Sequence, residues 1–169
     1  MTGGGVIIRP AGPADHDAIW SVLEPVYRAG QTYCIARDIS RDDALADWFA
    51  APFTVFVAQQ GGQVIGTSHV GANRPGGGDH VANASFATAP AARGQGVAAA
   101  LVDHARAWAA AQGFRAMQFN FVVSTNTGAI RLWQRAGFRI VGRLPAAFRH
   151  PVQGDVDALV MFTELGMSQ

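Results

Sequence analysis

The stretch Val81-Ala82-Asn83-Ala84-Ser85-Phe86-Ala87-Thr88, followed by Ala89-Pro90-Ala91-Ala92 and then Arg93-Gly94-Gln95-Gly96-Val97-Ala98, decides the fold. The apolar segment reads as a strand and the Ala-Pro segment as a turn. Val97, Leu101, Ala105 and Trp108 then recur at helical spacing. The grammar is strand, glycine-rich loop, helix. Gly94 and Gly96 have no Cβ to keep a ligand away from the backbone. The first amides of the following helix lack intrahelical partners and sit at the positive end of its dipole. Such a place suits phosphate, and Arg93 adds a positive charge.

Three other readings of the loop compete with this one. Gly94 to Ala99 fits the dinucleotide fingerprint G-x-G-x-x-A. That fingerprint needs an acidic residue about 20 positions on. The matching stretch, Phe114-Arg115-Ala116-Met117-Gln118-Phe119-Asn120, contains none. A Walker loop needs Gly-Lys-Ser/Thr, and the chain has no lysine at all. A purely structural glycine turn is the bland alternative.

Arg93 to Ala98 also fits R-x-x-G-x-A, which resembles the pyrophosphate-binding motif of the GCN5-related N-acetyltransferases (GNAT). A second block, Asn126-Thr127-Gly128-Ala129-Ile130-Arg131-Leu132-Trp133-Gln134-Arg135-Ala136-Gly137-Phe138, is similar to the family's later N-x-x-A-x-x-L-(Y/W)-x-x-x-G-F segment, at the expected distance downstream. The resemblance is clearest from Val81 to Gly142 and fainter elsewhere. It implies an α/β (α+β) GNAT fold: a central mixed, mostly antiparallel seven-stranded sheet, splayed between strands 4 and 5 and flanked by about four helices. It also implies acetyl-CoA as cofactor and an amine acceptor.

The bulk numbers bound the rest. A length of 169 residues, 49% hydrophobic and 15% charged, suits one globular domain spanning residues 1–169. No apolar run reaches membrane-spanning length. The N-terminus has no signal-peptide pattern, and Cys34 stands alone. A soluble, cytoplasmic protein is expected. Thirteen basic residues against twelve acidic ones leave a net charge of +1, no basic surface for nucleic acid, and nothing that calls for a metal. Several arginines fall late; Arg131 and Arg135 read as a solvated helix face. A homodimer is compatible with the resemblance.

Taken in order, Val6 to Arg9 is a short strand, and a helix starts near Asp15 and should end or kink at Pro25. Ser40-Arg41-Asp42-Asp43 resembles a capping box before a second helix that stops at Pro52. Thr54 to Ala58 and Val64 to Val70 form a hairpin through Gly61-Gly62. Asn73 to Asp79 is a loop. The helix after Gly96 ends at Gly113. Met117 to Val123 alternates as a strand, and one of Ser124, Thr125 or Asn126 caps the next helix. Phe138 to Leu144 and Val156 to Glu164 are the last strands. The long connection Pro145 to Asp155 between them is a pocket-wall candidate, as is Ala29 to Ile39.

The resemblance also implies site roles. The backbone of Phe86, Ala87 and Thr88 would hold pantetheine, and an amide near Thr88 would polarise the thioester. Arg93, Gly94, Gln95, Gly96, Val97 and Ala98 would bind the diphosphate. Asn126 would steady pantetheine or merely cap its helix. The family often has a tyrosine acid where this chain has Trp133, which packs on the cofactor or fills core. Tyr33 is the alternative acid. A glutamate base is also missing: Asn83 and Ser85 stand on that strand. His69 and His80 titrate in a useful range. Asn120, flanked by phenylalanines, must find a partner or face a cavity, and is a candidate to orient the acceptor or a water. Asp155 and Asp157 either attract a cationic acceptor or pair with the late arginines. A small amine or amino acid is the expected acceptor. Protein N-termini or lysines, and a non-catalytic CoA-binding module, are the alternatives.

Overall fold

The structure is a computed structural model and describes residues 5–166. Its elements run β1 (Ile7–Pro10), α1 (His16–Ala29), α2 (Arg41–Trp48), β2 (Thr54–Gln60), β3 (Gln63–Ala72), β4 (Val81–Thr88), α3 (Val97–Ala111), β5 (Ala116–Val123), α4 (Thr127–Arg135), β6 (Arg139–His150) and β7 (Gly154–Glu164). The seven strands form one sheet in the order β1-β2-β3-β4-β5-β7-β6. Every pair is antiparallel except β4 with β5, which is parallel. This is the splayed, mixed GNAT sheet that the sequence implied.

Strand alternation divides the core between the two faces. Phe56 packs with Val102, Ala105 and Ala109 of α3 and with Met117 and Phe119 of β5. Its neighbours Val55 and Val57 pack with Ile19, Leu23 and Tyr27 of α1 and Trp48 of α2. Helices α1 and α2 therefore cover one face, and α3 and α4 the other.

Local signals place most boundaries. Gly61 and Gly62 both take positive φ in the β2–β3 hairpin. The Ser40 hydroxyl accepts from the Asp43 amide at the start of α2. Asn126 caps α4, accepting from the Ala129 amide, and Gly113 ends α3 at φ 90°.

Two expectations are corrected: α1 does not end at Pro25, and the connection from Pro145 to Asp155 is not a loop. Helix α1 runs through Pro25 to Ala29 and stops at Gly30, whose φ is 65°. Proline removes one donor and crowds one turn, while Val22, Leu23 and Tyr27, buried on both sides of Pro25, hold the helix to the sheet. The expected connection from Pro145 to Asp155 is mostly strand. β6 continues to His150 through a register break between Leu144 and Phe148, where Ala146 sits at φ 49°. A bulge interrupts the pairing without ending it, and only residues 151–153 form the turn to β7. The aspartates pair with arginines: Arg143 meets Asp157 at 2.6 Å and Arg149 meets Asp155 at 3.6 Å.

Candidate active site

The sheet opens between β4 and β5. Their pairing is confined to Val81 with Ala116 and Ala82 with Met117. Asn83 bridges the first step of the opening, its Nδ2 donating to the Gln118 carbonyl at 2.8 Å. Beyond it the β5-facing edge of β4 has no strand partner. Phe86 turns both backbone groups to this opening, and alternation along the strand turns those of Thr88 the same way.

The Tyr33 hydroxyl, reaching in from the α1–α2 connection, occupies the Phe86 pair. It donates to the Phe86 carbonyl at 2.6 Å and accepts from the Phe86 amide at 3.2 Å. Burial of this hydroxyl pushes its pKa far above the ordinary tyrosine range, only partly opposed by the bond to Phe86. On the other face the Phe86 ring joins an aromatic cluster. Trp133 of α4 lies 5.3 Å from Phe86 and 5.1 Å from Phe119, and Phe138 stacks on Phe119 at 4.3 Å. Trp133 therefore supports the floor of the opening.

At the end of β4 the chain enters the glycine loop. Gly94 and Gly96 have φ of 76° and 80°, and a Cβ at either would meet nothing within 4 Å. Gly96 precedes α3 without a side-chain cap, and the first turn of α3 carries no acid. Among the described residues the amides of Val97, Ala98 and Ala99 find no acceptor. The Arg93 side chain is exposed beside them. These open amides, next to an unpaired strand edge, form a cradle that fits a diphosphate continued by an amide-bearing arm.

The face beneath α1 and α2 carries uncharged polar groups. Asn120 Nδ2 donates to Asn73 Oδ1 at 2.6 Å, and Gln118 Nε2 donates to Asn120 Oδ1 at 2.9 Å. Asn120 thus has its partner, and the loop after β3 is tied to β5. His69 is 7% exposed, with its ring stacked between Trp48 and Phe53, both centroids 4.2 Å away. Its Nδ1 donates to the Trp48 carbonyl at 2.9 Å, and burial lowers its pKa. The structure makes His69 a packing group. His80 is exposed, and Cys34 is free and exposed. Among the described residues no group of three or more His, Cys, Asp or Glu is placed to hold a metal ion, and no helix is long and apolar enough to cross a membrane.

A cleft of about 340 Å³ opens at the start of α4, lined by Gln31, Thr32, Thr125, Asn126, His150, Val152 and Gln153. The lining comes from the two connections read as pocket walls in the sequence, Gln31 and Thr32 in Ala29 to Ile39 and His150, Val152 and Gln153 in Pro145 to Asp155, with Thr125 and Asn126 at the start of α4. Within its connection His150 escaped notice because nothing local marks where a bulged β6 ends, and the residue reads as part of a loop.

Comparison with known proteins agrees with this geometry. Residues 17–138 match the sequence model of the acetyltransferase (GNAT) family. The chain is 33% identical over 98 residues to the N-acetyltransferase aca1 of Schizosaccharomyces pombe, covering 57% of this chain and 47% of that protein. The match thus spans about half the length of that curated relative. A GCN5-related N-acetyltransferase from Kribbella flavida is 42% identical, with a TM-score of 0.91 over 95% of this chain and 98% of that one. A phosphinothricin acetyltransferase from Sinorhizobium meliloti, solved in complex with acetyl-CoA, is 22% identical, with a TM-score of 0.84 over 97% of this chain and 90% of that one; at that identity it attests the fold alone. With the family's sequence signature over most of its length and the splayed sheet in its structure, the chain belongs to the acetyltransferase (GNAT) family.

Proposed function

We propose that the protein is an acetyl-CoA-dependent N-acetyltransferase that transfers the acetyl group to the amine of a small molecule or amino acid by direct attack. One observation carries this reading: the unpaired edge of β4 runs straight into the open amides of residues 97–99. Such an arrangement fits a long ligand with a diphosphate at one end and amides along its arm, as coenzyme A has. The Sinorhizobium meliloti relative was solved with acetyl-CoA, which supports the same ligand here. Bound acetyl-CoA supplies the activated carbonyl: the amine forms the new C–N bond, the C–S bond breaks, and the thiolate takes up the proton the amine loses.

The residues of the chain then act mainly by positioning. Arg93 and the loop from Gly94 to Ala98 hold the diphosphate. The backbone of Phe86, Ala87 and Thr88 lines the arm, and the Thr88 amide polarises the thioester oxygen. Trp133 forms the apolar floor, and Asn126 steadies the arm from the start of α4 while capping that helix. Tyr33 sets the position of the α1–α2 connection over the opening, and Asn120 orients the acceptor or a water through the Asn73–Asn120–Gln118 relay. His69 packs beneath. No carboxylate stands at the Asn83 position, so water relays the amine's proton to the departing thiolate. A cytoplasmic location, where acetyl-CoA is available, belongs to the same reading. So does a homodimer, for which the exposed Ile140, Val141 and Leu144 of edge strand β6 offer a face.

A non-catalytic CoA-binding module is the second reading, favoured by the neutral Asn83 and by the Tyr33 hydroxyl committed to Phe86. Thermal shift with acetyl-CoA, CoA and NAD, followed by thiol release across an amine library, separates the two. Stabilisation by acetyl-CoA with amine-dependent thiol release is expected. Stabilisation without release by any amine would favour the module, and a shift with NAD alone would overturn both readings.

A further inference from the structure

His150 is almost fully buried, yet it lines the cleft beside Asn126 and Thr32. Its ring is held by the turn that follows it. The backbone amides of Val152 and Gln153 both donate to Nδ1, at 3.2 and 3.1 Å. A nitrogen that accepts two N–H groups carries no proton of its own, so the proton of the neutral ring sits on Nε2. No partner for Nε2 is found among the described residues, and it is not among their buried unpaired atoms. The turn between β6 and β7 therefore presents a fixed N–H donor to the cleft.

The rest of the lining has the same character. Gln31, Thr32, Thr125, Asn126 and Gln153 offer amides and hydroxyls, Val152 offers a methyl surface, and none of the seven carries a formal charge with His150 in this tautomer. Arg149, the nearest cation along β6, alternates to the opposite side of the strand and faces Asp155. An oxygen on the acceptor would find a donor here. A carboxylate or phosphinate would find no cation to repay its lost hydration.

We propose that His150 is a specificity-determining residue, and that its Nε2–H selects acceptor amines bearing an uncharged carbonyl, such as α-amino amides, over the matching free acids. The proposal rests on the acetyltransferase reading for its chemistry. Its core, a neutral donor presented to the cleft, is open to a binding measurement that needs no turnover.

Two substitutions separate the donor from the turn. In His150→Asn, Oδ1 takes the place of Nδ1 and keeps the turn amides satisfied, while the Nε2 donor is lost. In His150→Gln, Nε2 keeps a donor at the far end, while the turn loses its acceptor. The expected result with acetyl-CoA and matched pairs of amino-acid amides and free amino acids is a wild-type kcat/KM about tenfold or more higher for the amides. His150→Asn should raise the amide KM about tenfold, leave kcat and acetyl-CoA affinity near wild type, and erase the discrimination. His150→Gln should keep most of the discrimination. If His150 serves only the turn, the order reverses: Gln impairs the protein and Asn does not. That order, or equal turnover of free acids, would overturn the proposal. Should no amine be acetylated although acetyl-CoA binds, the transferase reading fails. The donor is then tested by ring ¹⁵N NMR of His150 in the protein–CoA complex. A ring protonated on Nε2 and perturbed by the amide but not by the acid upholds the inference, and any other pattern refutes it.

Discussion

The buried ends of two ionisable side chains, Tyr33 and Asp15, are fixed by where their hydrogen bonds go. The Tyr33 proton is already given to the Phe86 carbonyl, and burial holds it far more tightly than an ordinary phenol. A thiolate with a pKa of about 8.5 does not draw such a proton off efficiently. Tyr33→Phe is therefore expected to keep turnover within about threefold of wild type and to cost about 1 kcal/mol in stability for the lost hydroxyl bonds. A fall of about 10²-fold in kcat with acetyl-CoA affinity unchanged would show that Tyr33 transfers a proton after all. Asp15 offers a cleaner charge effect. Its carboxylate takes both Arg9 guanidinium nitrogens, at 2.8 and 2.9 Å, and the Gly12 amide at 2.9 Å. The Arg9 bonds foremost, then the Gly12 bond, bring its pKa down to about 2. With an unfolded value of about 3.9, the group stabilises the fold fully above about pH 4. That contribution is lost as pH falls from about 4 to about 2. Asp15→Asn should thus be less stable than wild type at neutral pH, with the gap closing across that window in urea unfolding. A gap independent of pH would contradict the linkage. The sequence marked Asp15 only as suited to a helix start; its pairing with Arg9 depends on β1 lying against the start of α1, which no local pattern reports.

At the scale of elements, the glycine loop works because α3 is held close to the sheet. A Cβ on Gly66 of β3 would lie 2.9 Å from Val97 Cγ1, 3.1 Å from Leu101 Cδ1 and 3.2 Å from the Ala87 carbonyl. Gly66→Ala must push the first turn of α3 outward, costing about 1–3 kcal/mol. It should also weaken acetyl-CoA binding about tenfold, because the amides of residues 97–99 move with that turn. Gly96→Val should weaken binding further, since its φ of 80° strains any branched residue and its side chain would fill the open cradle. Wild-type acetyl-CoA affinity in both variants, measured by calorimetry, would remove the diphosphate from this loop. The loop itself was legible because glycine spacing and helix periodicity are local signals. The β4–β5 opening came from family resemblance, since parallel pairing between residues 35 apart, Val81 with Ala116, leaves no mark on either strand. The bulge that carries β6 to His150 was invisible: Pro145 reads as a strand breaker, and the tolerance of an edge strand for such a break is decided by its neighbour β7.

For the whole molecule, the opening makes the sheet two parts joined by a short seam. Strands β1 to β4 share the core under α1 and α2, while β5, β7 and β6 form the other part. Along the sheet they meet at two backbone pairs and the Asn83–Gln118 bond, and beside it at the Asn73–Asn120 bond and the Phe86–Phe119 and Phe86–Trp133 ring contacts. A ligand lying along β4 and ending at α3 would bridge these parts and stabilise the fold as a unit. At about 100 times its Kd, acetyl-CoA adds about 2.7 kcal/mol. At about 2–4 °C per kcal/mol for a chain of this size, Tm should rise by about 5–11 °C. The stabilisation should also have an address. Thr88, whose amide faces the opening, and Val97, Ala98 and Ala99, whose amides have no acceptor among the described residues, should gain protection from hydrogen exchange when acetyl-CoA is added. The amides within α2, which covers the face away from the cradle, should gain no more than the global increase in stability requires. A uniform gain across the sheet and all helices would mean that binding is felt only through global stability. Protection centred on the β1 edge instead would move the ligand to the wrong end of the sheet and defeat the assignment of this opening as the cofactor site.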